Sequence, residues 1–198
     1  MNLASGGLLV GSAAECLSRP DSRRATDLAA KLGRLAVLGI LLGSLLGGGL
    51  LLFFWNDAYG DLFLRRLRSR VFFAFLEILF SLALGVCYWR WAARQAKRDA
   101  GAPVRGRYWR AFIAVAASTN LLYHFPTLFA IIAQHAPETN ADSSPFARKE
   151  IYALLTSGPI LSHAIHFLLA SLAVSGVAGA LLLRADSREG AGLWLRRL

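Results

Sequence analysis

The stretch from Leu35 to Phe54, LAVLGILLGSLLGGGLLLFF, runs for 20 residues without a charge. At about 1.5 Å per residue a helix of that length matches a hydrocarbon layer of roughly 30 Å. Three further runs have the same character. Val71 to Trp89 is apolar apart from Glu77, Ala111 to Ala133 has His124 as its ionisable group, and Ile160 to Leu183 has His163 and His166. With 56% hydrophobic and 17% charged residues gathered into blocks, the 198-residue chain has an integral membrane composition. The expected fold is all-α: an integral membrane four-helix bundle with spans at 35–54, 71–89, 111–133 and 160–183.

The segments between these runs set the topology. Counted alternately along the chain, the connecting segments hold 16 of the 22 Lys and Arg residues on one side and 6 on the other. The positive-inside rule then puts both termini and the Arg90 to Arg110 loop in the cytoplasm, with a bacterial inner or plasma membrane as the expected location. The cluster Arg65, Arg66, Arg68, Arg70 runs against this bias, and an interfacial helix starting near Asp61 would let it reach headgroups. A formal charge of +10 raises the question of nucleic acid. Its basic residues flank the ends of apolar runs and form no soluble nucleic-acid module, so the bilayer, anionic lipids included, is the expected partner and nucleic acid is not. Cys16 and Cys87 make neither a disulfide framework nor a paired-cysteine metal motif.

Residues 1–25 hold a weak apolar stretch, Leu8 to Ala14, with no basic leader ahead of it and no lipidation site at Cys16. They read as a flexible accessory tail preceding the membrane domain, 26–184, whose first helix Thr26 and Asp27 would cap. Residues 185–198 read as a short basic tail. Gly39, Gly43 and Gly47 recur every four residues, which makes one helix face suited to close contact with a neighbouring helix, a membrane-protein partner or a second copy. Ser171, Ser175 and Gly179 share the spacing, suggesting that the first and last spans touch. Pro126 should bend the third span beside His124, and Gly158-Pro159 should separate a short outer helix, starting near Ser144-Pro145, from the last span. Trp55, Tyr59, Tyr88, Trp89, Trp91, Tyr108, Trp109 and Trp194 sit near helix ends, as interfacial aromatics do.

Converted to depth, Glu77, His124 and His166 fall in one layer roughly 4 to 8 Å from the midplane. His163 lies one turn from His166, and Asn120 one turn from His124 on the same face. Ionisable groups at such depth face a partner, a cavity or a cofactor. The sharpest reading makes His124 and one of His166 or His163 the axial ligands of a haem b iron. Asn120 would then support an imidazole, and Glu77 would exchange protons or bind a quinol in a redox subunit. Two imidazoles and a carboxylate also form a chemically sensible metal set, although their spacing does not encode one. The alternatives are a noncatalytic scaffold or assembly subunit of a membrane complex, and a proton-handling transport subunit. No nucleophile turn, phosphate-binding loop or dinucleotide fingerprint is present.

Overall fold

A lipid-facing backbone has to satisfy every N–H and C=O within its own segment, so long apolar runs fold as helices. The computed structural model describes residues 2–19, 22–97, 106–135 and 146–195, with 124, 125, 133–135 and 187–195 described by backbone alone. Among the described residues all regular structure is helical. The elements are α1 (Asn2–Leu17), α2 (Arg23–Phe53), α3 (Asp57–Asp61), a π-helical turn (Leu62–Arg66) and α4 (Arg68–Ala96). They are followed by α5 (Arg107–Thr119), a second π-helical turn (Asn120–His124), α6 (Phe125–His135), α7 (Arg148–Leu155) and α8 (Gly158–Leu195). Four helical stretches are long and apolar enough to cross a membrane: Arg23–Phe53, Arg68–Ala96, Arg107–Ile132 and Gly158–Asp186. Their outward faces carry exposed leucine, phenylalanine and valine, as lipid contact requires.

The expectation of a flexible tail over residues 1–25 is not what the structure shows. Residues 2–17 form a helix with Ala4, Ser5 and Leu8 wholly buried and Glu15 nearly so. Along α1 the contacts on α2 run backwards: Gly11 meets Ala29, Gly7 meets Leu32 and Ala36, and Ala4 meets Gly39. The two helices are therefore antiparallel. At 16 residues, α1 reaches about 24 Å, too short to cross a hydrocarbon core. It occupies the half of the bundle near the start of α2, and by Gly47 to Gly49 nothing among the described residues lies within 4 Å of where a side chain would begin.

α1 also explains why α2 and α8 share small-residue spacing without relying on each other. Gly6 of α1 faces the Ser171 carbonyl and Ser175 Oγ of α8, while Gly39 packs on Ala4. The direct contact between α2 and α8 is made by Gly179 against Leu32 Cδ1 and by Lys31 Nζ, which bonds Asp186 Oδ1 at 2.6 Å. Both helices thus grip α1, with their direct contact toward the end where α2 begins. The expected tail at 185–198 continues α8 as far as Leu195, and residues 196–198 lie outside the described residues.

The helix ends follow local chemistry. Ser22, rather than Thr26 or Asp27, caps α2, its Oγ accepting from the Ala25 N–H at 3.4 Å. Thr26 is instead buried inside the helix, and Asp27 pairs with Lys31 at 2.8 Å. Asn56 caps α3, its Oδ1 accepting from the Tyr59 N–H at 3.0 Å. Arg23 Nε donates to the Ala96 carbonyl at 3.0 Å, placing a cation at the C-terminus of α4. Pro126 removes one ladder bond, and the chain widens into the π turn immediately before it. Thr127 Oγ1 donates to the Tyr123 carbonyl at 2.6 Å beside the break. Gly158-Pro159 opens α8, and a turn at Thr156 and Ser157 separates it from α7. Ser144-Pro145, expected to start that outer helix, lies outside the described residues; α7 begins after Ala147, whose N–H donates to Glu150 Oε2 at 2.7 Å.

Candidate functional site

Depth and azimuth part company in the layer expected from the sequence. The inward face of α8 is marked by the buried residues Ile160, Ala164, Ser171 and Ser175. At about 100° per residue, His163 and His166 lie off that face. Both are exposed; the His163 Nδ1–H donates to the Pro159 carbonyl at 2.8 Å, and His166 borders a shallow groove made by α8 alone, with Gly158, Leu161, Ser162, Ile165 and Leu169. Glu77 is half-buried on α4, and Asn120 opens the second π turn. The two elements adjoin, since Ile78 and Leu82 pack with Leu121. His124 ends that turn, and its side chain lies outside the described residues. Among the described residues no three His, Cys, Asp or Glu side chains gather as a metal-holding group. The structure therefore places Glu77 and Asn120 on adjoining elements and turns His163 and His166 to the outside of the bundle.

The most completely buried charges lie elsewhere. Arg110, in the first turn of α5, donates from Nε to Glu15 Oε2 at 3.0 Å and from Nη2 to Glu15 Oε1 at 2.8 Å. The side chains are 0% and 1% exposed. This forked pairing satisfies both carboxylate oxygens in the geometry that guanidinium favours. Position and packing make it accurate. Gly106 adopts φ +74° immediately before α5, a left-handed conformation, and a β-carbon there would strike the Trp91 ring. Trp91 in turn lies 5.6 Å from the Arg110 guanidinium. Tyr88 completes the wall: its ring packs against Gly33 of α2 and its hydroxyl over Gly11 of α1. The Tyr88 hydroxyl is buried and has no hydrogen-bond partner among the described residues.

Nearer the middle of the bundle a second polar group binds the other end of α1. Ser118 Oγ of α5 donates to the Ser5 carbonyl at 3.0 Å, Ser5 Oγ donates to Ser171 Oγ at 3.2 Å, and Ser171 Oγ donates to the Phe167 carbonyl at 2.7 Å. These hydroxyls join α5, α1 and α8 in a region with little access to solvent. Chemically the two clusters fasten rather than react. Glu15 has both oxygens engaged by Arg110, and the serines close on helix carbonyls.

Comparison with protein-family models, curated proteins and solved structures gives no match to this chain. The chemistry of its own residues carries the functional argument. Sequence reasoning passed over the pairing of Glu15 with Arg110 and read Tyr88 as an interfacial aromatic, whereas it is wholly buried; for Glu15 a signal was there. Gly7, Gly11 and Glu15 recur every four residues, placing two close-approach positions and a carboxylate on one helix face.

Proposed function

We propose that this chain is a noncatalytic multi-pass membrane subunit that assembles with another membrane helix through the distal half of α2. The observation that carries the reading is the run Gly47, Gly48, Gly49 inside a helix, with nothing among the described residues within 4 Å of a β-carbon at any of the three. Each glycine costs a helix about 1 kcal/mol relative to alanine. Gly39 offsets that cost by admitting α1, whereas among the described residues Gly47 to Gly49 admit no neighbour. Close approach by a helix from outside the chain supplies one. Supporting it, the half of the interior near the start of α2 is filled by α1, whose buried charges and hydroxyls are satisfied locally. The haem b reading needs two imidazoles converging from different helices, and the outward positions of His163 and His166 on α8 lend it no support.

The test places a photo-crosslinking amino acid at position 48 in the full chain in its native membrane, with position 177 on the exposed face of α8 as control. A discrete protein adduct from 48 and lipid adducts alone from 177 is the expected result. Lipid adducts alone from both positions, with a monodisperse monomer in mild detergent, would overturn the assembly reading. A reduced-minus-oxidised absorbance spectrum of the same preparation decides the competing reading, because stoichiometric b-type haem would make a redox role primary.

A further inference from the structure

At the end of the bundle opposite the Glu15 and Arg110 pair, positive charge accumulates. Arg65, Arg66, Arg68 and Arg70 fall within six residues where the first π turn passes into α4, and α7 brings Arg148 and Lys149. Two of the nearby carboxylates are occupied: Asp61 holds Arg65, and Glu150 accepts from the Ala147 N–H. The Arg66 guanidinium lies 4.1 Å from the centre of the Phe146 ring, and its Nε is buried without a hydrogen-bond partner among the described residues. Tyr152 brings the other two together. Arg70 Cζ of α4 is 5.9 Å from its ring and Arg148 Cζ of α7 is 5.7 Å from the same ring. Arg148 Nη2 also donates to the Tyr152 hydroxyl at 3.4 Å. Among the described residues, Arg66, Arg70 and Arg148 have no ion pair with a carboxylate.

Arg70 and Arg148 share one ring, and Phe146, on which Arg66 lies, packs in the same apolar cluster as Leu154 and Leu155 of α7. Like charges gathered at one end of a bundle repel, and an anion among them relieves the repulsion. Their forked donors match phosphate oxygens, and aromatic faces fix the plane in which each fork is presented. The place matters as much as the charge. Arg70 stands at the polar end of an apolar helix, and Phe73, one turn further on the same face, is exposed. A phosphate at the arginines would leave an acyl chain lying on that wall. We propose that Arg66, Arg70 and Arg148 bind the phosphate of an anionic phospholipid, with Tyr152 positioning the last two. This inference rests on the membrane reading above and is independent of the assembly surface on α2.

The experiment is native mass spectrometry of the full chain released from micelles containing equal phosphatidylglycerol and phosphatidylcholine. The wild type should retain phosphatidylglycerol preferentially. The double variant Arg70→Gln, Arg148→Gln should lose that preference by at least about tenfold, since each charge-assisted bond is worth more than about 1.4 kcal/mol. Arg94→Gln with Lys97→Gln, at the other end of α4, should leave it unchanged. Equal retention of both lipids by the wild type overturns the site, as does loss in the control variant. Displacement of phosphatidylglycerol by millimolar inorganic phosphate would overturn the lipid as ligand and assign the pocket to free phosphate. If the double variant fails to fold, the wild type decides alone: phosphatidylglycerol should raise the pH at which the Tyr152 phenol ionises, measured against Tyr152→Phe, and no change overturns the proposal. Failure of the protein to enter phosphatidylcholine vesicles at all would be a failure of the membrane reading instead.

Discussion

Replacing Arg110 by methionine should release α1. The change leaves the Glu15 carboxylate, 1% exposed, without the cation that bonds both its oxygens at 2.8 and 3.0 Å. Removing one member of a buried ion pair destabilises by about 3–5 kcal/mol, whereas replacing both by apolar groups of similar volume is close to neutral. Even the lower figure raises the open population more than about a hundredfold. The assay is maleimide labelling of a cysteine at Ser12, which is buried on α1, in a background with Cys16→Ser and Cys87→Ser. Where opening is fast relative to labelling, the rate reports the open fraction directly. Arg110→Met and Glu15→Leu should each accelerate labelling about a hundredfold or more, and the double variant should return near the parent rate. Single variants within about twofold of the parent, or a double variant as open as either single one, would refute the clamp.

Gly6→Ala should cost about 1–3 kcal/mol, because its β-carbon would run into the Ser171 carbonyl, which is backbone and cannot swing away. Gly48→Ala should instead stabilise the detergent-solubilised monomer by up to about 1 kcal/mol, and denaturant titration of both variants checks the contrast. Tyr88→Phe removes a buried hydroxyl without a partner and should leave thermal stability within about 0.5 kcal/mol or raise it. A clear loss would show that this oxygen holds a bond. Tyr152 should ionise below the usual phenol range, first because Arg148 donates to it and then because that charge favours phenolate. Such a lowered acid stabilises the fold above the unfolded phenol value of about 10 and loses that contribution as pH falls through the lowered one. At neutral pH Tyr152→Phe should therefore leave stability unchanged. An alkaline difference titration at 295 nm should show the Tyr152 transition moving upward in Arg148→Gln.

The four long apolar helices were legible because hydrocarbon thickness dictates a length and a composition together, and runs such as Leu35 to Phe54 satisfy both. α1 was not legible in that way. Gly6, Gly7, Gly11, Ser5 and Ser12 hold its hydropathy down, and Glu15 reads as a water-facing charge until Arg110, 95 residues later, is known to meet it. The histidines show the complementary difficulty. Their depth follows from counting residues, but the face they occupy depends on how α8 is rotated, and that rotation is set by Ser171 and Ser175 closing on Gly6. A residue-by-residue depth profile contains no information about that contact.

The clamp also bears on the order in which the protein is made. α1 precedes its partners in the sequence, with Ser118 and Ser171 lying 113 and 166 residues from Ser5. A peptide carrying an unpaired Glu15 and three glycines has little reason to enter hydrocarbon by itself. It would wait in water while the four spans are inserted, and dock once Arg110 and α8 have built its groove. A helix that precedes its partners in sequence would then be the last to find its place, and its docking would report that the four long apolar helices have packed in register.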